Sequence, residues 1–212
     1  MYIPHYFKNT NEHDALDFIA RHPFAVLISA NKQIHATHIP LVLYKTESAF
    51  KLLGHFAKRN PQAKEDGISV KAIFSGPDHY VSASSYEGDD DVPTWNYQAC
   101  HVDGTMTFVD DLDETKAVLD KTIEKFESKQ PRRWSFKDVC ESNLHAFLKQ
   151  ITAFTIEIHS IHFAEKLSQD KSLEDLKSVI SAIERLEKHE NKSMAKVLKT
   201  QLSKRARGKT RQ

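Results

Sequence analysis

Four short clusters of polar and aromatic residues share one stretch of this chain. They are His35-Ala36-Thr37-His38-Ile39-Pro40, Gly54-His55-Phe56-Ala57-Lys58-Arg59-Asn60-Pro61, Phe74-Ser75-Gly76-Pro77-Asp78-His79-Tyr80 and Val92-Pro93-Thr94-Trp95-Asn96-Tyr97. Packing alone seldom needs His, Trp, Asn and Pro side by side at strand ends, whereas a site for a flat ring and a phosphate does. In the second cluster Lys58 and Arg59 supply positive charge, Arg59 in a planar fork that matches phosphate. Gly54 allows close backbone approach, and a helical turn after the strand offers free N–H groups to an anion. A solvated strand end with ordinary surface charges fits the same residues. In the fourth cluster Trp95 and Tyr97 face one side of a strand and Asn96 the other. A flat ligand can stack on Trp95 while Asn96 bonds its polar edge, although two core aromatics give the same pattern.

The histidines invite a metal. His35, His38, His55, His79 and His101 lie on or near strand-like segments, but no pair has the spacing of a short metal motif, and no Cys or acid recurs beside them. No metal site is expected. A haem asks less of the pattern, because one imidazole is enough. There is no nucleophile elbow, Walker loop or dinucleotide glycine fingerprint. Charge is distributed unevenly: no acid follows Glu190, and Lys192, Lys196, Lys199, Lys204, Arg205, Arg207, Lys209 and Arg211 make eight positive charges. The whole chain is +1, so everything before that tail carries −7. Lys204, Arg205, Arg207 and Lys209 are the candidates for contact with nucleic-acid phosphates, with a solubilising tail as the alternative. No recognition helix or zinc finger is written in the sequence.

The elements that must position these clusters are mostly strands. With 212 residues, 40% hydrophobic and 28% charged, the chain has the composition of a globular protein rather than a disordered one. No segment has the apolar length of a membrane span, and the first residues show no signal-peptide pattern. Cys100 and Cys140 stand far apart in no redox or metal spacing, which points to reduced thiols and a cytoplasmic protein. Asn11 to Ala20 shows a capping box and helical spacing, stopped at His22-Pro23. Strands are expected at Phe24–Ala30, Gln33–Tyr44, Phe50–Ala57, Ser69–Ser75, Tyr80–Ser84 and Thr94–Val109, with Gly104 as a bulge. Asp111 or Asp113 caps a helix whose apolar side is Ala117, Leu119, Ile123 and Phe126. Trp134 to Gln150 reads as mostly helical, and Phe154, Ile156 and Ile158 alternate as a half-buried strand. Ser172 opens a helix through Leu186, Asn191 a shorter one, and Lys204 to Gln212 is expected to fray. Strands joined without intervening helices pair antiparallel. The class is therefore mainly β with α, a barrel with helical decoration.

The order of the clusters resembles the PaiB-type family. The residues that carry the likeness are Met1-Tyr2-Ile3-Pro4, Ala36-Thr37-His38-Ile39-Pro40-Leu41, Gly54 to Pro61, Phe74-Ser75-Gly76-Pro77, Tyr80-Val81-Ser82, Val92 to Tyr97, His101-Val102-Asp103-Gly104 and Lys166-Leu167-Ser168-Gln169-Asp170-Lys171-Ser172. The resemblance implies an FMN-binding split β-barrel over residues 1–165 and a C-terminal helical appendage with the basic tail over 166–212. It also implies a homodimer and a negative regulator of transcription, tied in bacilli to protease synthesis and sporulation. FMN is the implied cofactor, held by residues among Thr37, His38, His55, Lys58, Arg59, Asn60, Trp95, Asn96 and Tyr97; DNA is a further partner, and no membrane is implied. No catalytic residue is assigned. The alternative is a flavin- or haem-dependent oxidoreductase on the same barrel, since a fold does not fix a function. The chain departs from the family at Gln62-Ala63, where an aromatic residue usually follows Asn-Pro, and at Asp170-Lys171, where Asn-Arg is usual.

Overall fold

The computed structural model describes residues 1–87, 91–185 and 189–209, with only the backbone of 189–193 and 207–209. Three features read in the sequence therefore lie outside the described residues: Gly88 to Asp90 of the acidic loop, Leu186, and Arg211 of the tail. Eight strands are hydrogen-bonded into one open sheet. They are β1 (Lys8–Asn9), β2 (Phe24–Ala30), β3 (Ile34–Pro40), β4 (Val42–Lys45), β5 (Phe50–Ala57), β6 (Ile68–Val81), β7 (Thr94–Val109) and β8 (Ile151–Lys166). The pairing order is β3-β2-β6-β7-β8-β5-β4, with β1 on β8. Five helices accompany them: α1 (Glu12–Arg21), α2 (Leu112–Glu127), α3 (Glu141–Leu148), α4 (Leu173–Arg185) and α5 (His189–Lys209).

Several expected boundaries move, each for a local reason. Gln33 to Tyr44 is two strands rather than one. The chain breaks after Pro40, where the amide of fully buried Leu41 turns to donate to Pro23 O at 2.8 Å. The segments Ser69–Ser75 and Tyr80–Ser84 are instead one long strand, β6, which runs through Gly76-Pro77. Trp134 to Gln150 holds only a short 3-10 turn (Phe136–Asp138) and the two turns of α3. In α2, Ala117 and Phe126 are exposed, and the buried positions are Thr115 and Val118. Thr115 and Thr122 return their hydroxyls to Val109 O (3.4 Å) and Val118 O (3.1 Å), so they pack as apolar residues do. Helix α5 continues through Lys209 where fraying was expected. Capping matches the sequence more closely: Asp111 Oδ1 accepts from the amides of Asp113 (2.9 Å) and Glu114 (3.0 Å), and Ser172 Oγ from that of Asp175 (2.9 Å).

The chain divides into two compact units. One comprises Glu12–Phe74 and His101–Ile161. In it β4, β5, β8 and α2 close over Val42, Leu53, Val118 and Ala153, with Val109 at the margin. Gly104 is no bulge there; a Cβ at this position would stand 2.2 Å from Glu157 O of β8, so only glycine lets the strands approach. Gly54 likewise makes room for a neighbour, since a Cβ would lie 2.6 Å from the Phe154 ring. The close approach read in the sequence is to packing, not to a ligand. The other unit comprises Met1–Asn11, Ser75–Cys100 and His162–Gln212. Here Leu176, Val179, Ile180 and Ile183 of α4 meet Met194, Ala195 and Leu198 of α5, with Val81, Tyr86 and Leu167 beneath them. Apolar spacing along both helices produces that seam.

Candidate functional site

Strand β5 ends at Ala57, and the chain turns through Lys58 to Asn60 into a 3-10 turn at Pro61–Lys64. Asn60 Oδ1 caps that turn by accepting from the Gln62 amide at 2.9 Å, with Pro61 at its first position, where a missing N–H costs nothing. Ala57, Lys58 and Arg59 line a cleft of about 600 Å³ whose other wall is Lys149 and Gln150, just after α3. The Lys58 amide donates to Gln150 O at 2.8 Å and ties the two walls together. The side chains of Lys58, Arg59 and Lys149 are exposed, and none has an ion-pair or hydrogen-bond partner among the described residues. Three uncompensated cations around one cleft form a donor set that fits a phosphate.

Behind this turn runs a buried polar network that the sequence reading missed. Gln62 is fully buried, and its Nε2 donates to Leu27 O at 3.3 Å and to Ser29 Oγ at 3.0 Å. Its Oε1 accepts from Thr37 Oγ1, which in turn accepts from Asn60 Nδ2 at 3.0 Å. Ser29 Oγ donates to Glu65 Oε2, and His35 Nδ1 lies 3.1 Å from Glu65 Oε1. Every polar atom of the Gln62 amide has a partner, as burial demands. The network fixes the turn that carries Lys58 and Arg59. One signal was present: Ser29 interrupts an apolar strand at the inward parity of Ala25 and Leu27, and a polar residue there needs a partner.

The structure thus joins Thr37 to Asn60, and sets Lys58 and Arg59 beside them. His38 alternates to the opposite face of β3, exposed, with its ring 6.1 Å from that of Phe24. His55 shares a face of β5 with Ala57 of the cleft wall. Burial holds its pKa below the ordinary histidine value of 6.5, which keeps the imidazole neutral at neutral pH. The remaining candidates belong to the other unit. Trp95 is exposed, with Tyr80 edge-on at 5.9 Å, and half-buried Tyr97 follows on the same face. Asn96 is fully buried and donates to Ser168 Oγ at 3.0 Å, and Ser168 itself has a left-handed backbone (φ 57°). Lys204 is exposed, while the Arg205 guanidinium donates to Ser168 O (3.2 Å) and Lys171 O (2.6 Å). Arg207 and Lys209 lie on the last turns of α5. Among the described residues no group of three or more His, Cys, Asp or Glu is placed to hold a metal ion.

Residues 1–160 match the family model described as "Putative FMN-binding domain". The chain belongs to this FMN-binding family. The match spans the turn, the cleft and β7 together, and FMN is the family's cofactor, as the PaiB-type resemblance implied. A curated relative, the protease synthase and sporulation protein PAI 2 of Bacillus subtilis (strain 168), is 34% identical over 207 residues, 96% of this chain and 99% of the relative. That likeness bears out the PaiB-type resemblance. Among solved structures, the flavocytochrome Anf3 of Azotobacter vinelandii superposes with a TM-score of 0.57 at 12% identity, over 76% of this chain and 70% of its own. The FAD and haem binding protein of Mycobacterium smegmatis does so with 0.56 at 15%, over 81% and 79%. At such identities these neighbours establish the fold alone, the open split barrel with helices that the FMN-binding family implies. No described helix is long and apolar enough to cross a membrane.

Proposed function

We propose that the chain is a cytoplasmic, FMN-binding negative regulator of transcription of the PaiB type, with the flavin phosphate held by Lys58 and Arg59. The observation that carries the flavin reading is the cleft after β5, where Lys58, Arg59 and Lys149 stand without a carboxylate partner among the described residues. A phosphate satisfies that set, Arg59 through its planar fork and the lysines as point charges. Bound FMN supplies a redox-active ring, and the chain's own residues hold it. Thr37 and Asn60 act through the turn they lock, and the neutral imidazole of His55 is a hydrogen-bonding group on the strand that leads into the cleft.

The regulatory part of the reading rests on the likeness to PAI 2, whose name ties that relative to protease synthesis and sporulation. DNA contact falls to the exposed Lys204, with Arg207 and Lys209 beyond it, because Arg205 is already engaged with backbone carbonyls. A second copy of the chain fits the outer face of β2 and β3. Phe24 (64% exposed) and Ile34 (79%) stand there with the half-buried Val26 and Ile28 and the exposed Ala36 and His38, a mostly apolar sheet surface of the kind that two copies cover.

Titration of flavin-free protein with FMN, followed by absorbance, tests the core of the proposal. Each charge-assisted contact contributes about 1.5–3 kcal/mol, so the Lys58→Ala/Arg59→Ala variant binds FMN at least tenfold more weakly. Unchanged affinity removes the cleft from the flavin site. A gel-shift series at rising salt, with and without residues 204–212, tests DNA contact, which weakens with salt when phosphates are neutralised. Flavin reduction by a nicotinamide nucleotide in a protein that shifts no DNA favours the oxidoreductase instead. Sedimentation as a monomer at micromolar concentration excludes the dimer.

A further inference from the structure

Arg59 lines two clefts. The first is the cationic cleft with Lys149; the second, of about 380 Å³, lies where the turn after β2 (Asn31, Lys32) and His35 of β3 meet Pro61, Lys64 and Glu65. We propose that this second groove takes the adenylate half of a flavin dinucleotide, so that the chain accommodates FAD as well as FMN. The inference rests on the phosphate reading of the first cleft. In FAD a second phosphate is bonded directly to the flavin phosphate through one shared oxygen. A cation that borders two adjoining clefts is therefore placed to bridge a pyrophosphate, each phosphate taking one side of the guanidinium fork.

The chemistry of the groove suits the adenosine beyond that second phosphate. Lys32 and Lys64 are exposed at its rim and have no ion-pair partner among the described residues, so they add charge where a pyrophosphate brings it. The His35 ring and the Pro61 ring give apolar faces against which a purine can lie. Glu65, on the floor, accepts from Ser29 and faces His35, which uses two of about four lone-pair sites on its carboxylate. The remaining sites accept from ribose hydroxyls or the adenine amino group. Because Glu65 and His35 belong to the same buried network as Gln62, the floor is held in place before any ligand arrives. Both clefts fall in the range of about 300–1,000 Å³ typical of small-molecule sites.

Calorimetric titration of flavin-free protein with FMN, FAD and ADP in turn tests this. The comparison is the Lys32→Ala/Lys64→Ala variant, which changes two exposed side chains and leaves Lys58 and Arg59 in place. Wild-type protein binds FAD at least tenfold more tightly than FMN, and the variant loses that advantage while its FMN affinity stays within about twofold. FAD binding no tighter than FMN in the wild type, or equal weakening of both flavins in the variant, overturns the proposal. If neither flavin binds, it is the phosphate reading that has failed, and ADP then decides for the groove alone. ADP uptake that the variant loses keeps it as an adenylate site, and absence of ADP uptake overturns it.

Discussion

The side-chain amide of Gln62 donates to Ser29 Oγ at 3.0 Å, and both residues are sealed from solvent. Each helps to satisfy the other's buried polar atoms. The pair links β2 to the turn that follows β5. Gln62→Phe alone leaves Ser29 and Thr37 short of a partner and costs about 1–3 kcal/mol, and Ser29→Ala alone costs a similar amount. Together the two changes cost less than their sum, with a coupling of about 0.5–3 kcal/mol from urea unfolding midpoints. Strictly additive costs would show that the pair is incidental.

How far the sequence reaches is visible in the same residues. Strand positions carried by alternation or by an unbroken apolar run, β2, β5 and β7, come out at the expected boundaries, because period-two burial is a local property. The cleft cations Lys58 and Arg59 were legible because unbalanced charge at a strand end is local too. Lys149 was not, since only the tertiary contact of Lys58 with Gln150 brings it across. Asn96 looked like a ligand group, and its burial against Ser168, 72 residues later, shows a second, structural use of the same amide. The glycines read as ligand approach or bulge are there for Phe154 and Glu157, neighbours that no window of sequence contains.

Arg205 holds α5 to the loop before α4 through the carbonyls of Ser168 and Lys171. Charge-assisted bonds of this kind contribute about 1.5–3 kcal/mol. Arg205→Ala is therefore expected to speed amide hydrogen exchange throughout α5 while leaving β2–β5 unchanged. Arg205→Lys recovers only part of the protection, because an ammonium cannot span two carbonyls as a fork does. Exchange in α5 at the wild-type rate in Arg205→Ala would show that the apolar seam alone docks the helix.

Two histidines make stability depend on pH. Burial is the leading cause that lowers the pKa of both His22 and His55 below 6.5. The folded chain therefore binds fewer protons at these sites than the unfolded chain does between the lowered values and 6.5. Stability rises with pH across that window and is lost as pH falls below about 6.5. Melting temperature is expected to drop on acidification from pH 7 towards 5, and His22→Gln/His55→Gln flattens the slope. A melting temperature that rises on acidification, or a slope the double variant leaves intact, contradicts the assignment.

The two thiols differ in reactivity because they differ in environment. Cys100 is fully buried on β7, and desolvation pushes its pKa up to about 12, so almost no thiolate exists at neutral pH. Cys140 is exposed before the first turn of α3, with its Sγ 3.5 Å from Ser142 Oγ; that contact is the largest cause of a pKa below the ordinary thiol value. The thiolate is the nucleophile, so iodoacetamide at pH 8 is expected to label Cys140 alone in the folded protein and Cys100 only after denaturation. Peptide mass spectrometry of time points gives both rates. Ser142→Ala should slow labelling of Cys140 without touching Cys100, since it removes the contact that favours the thiolate. Labelling of Cys100 in native protein at a rate comparable to Cys140 would mean that β7 opens far more readily than its buried face allows.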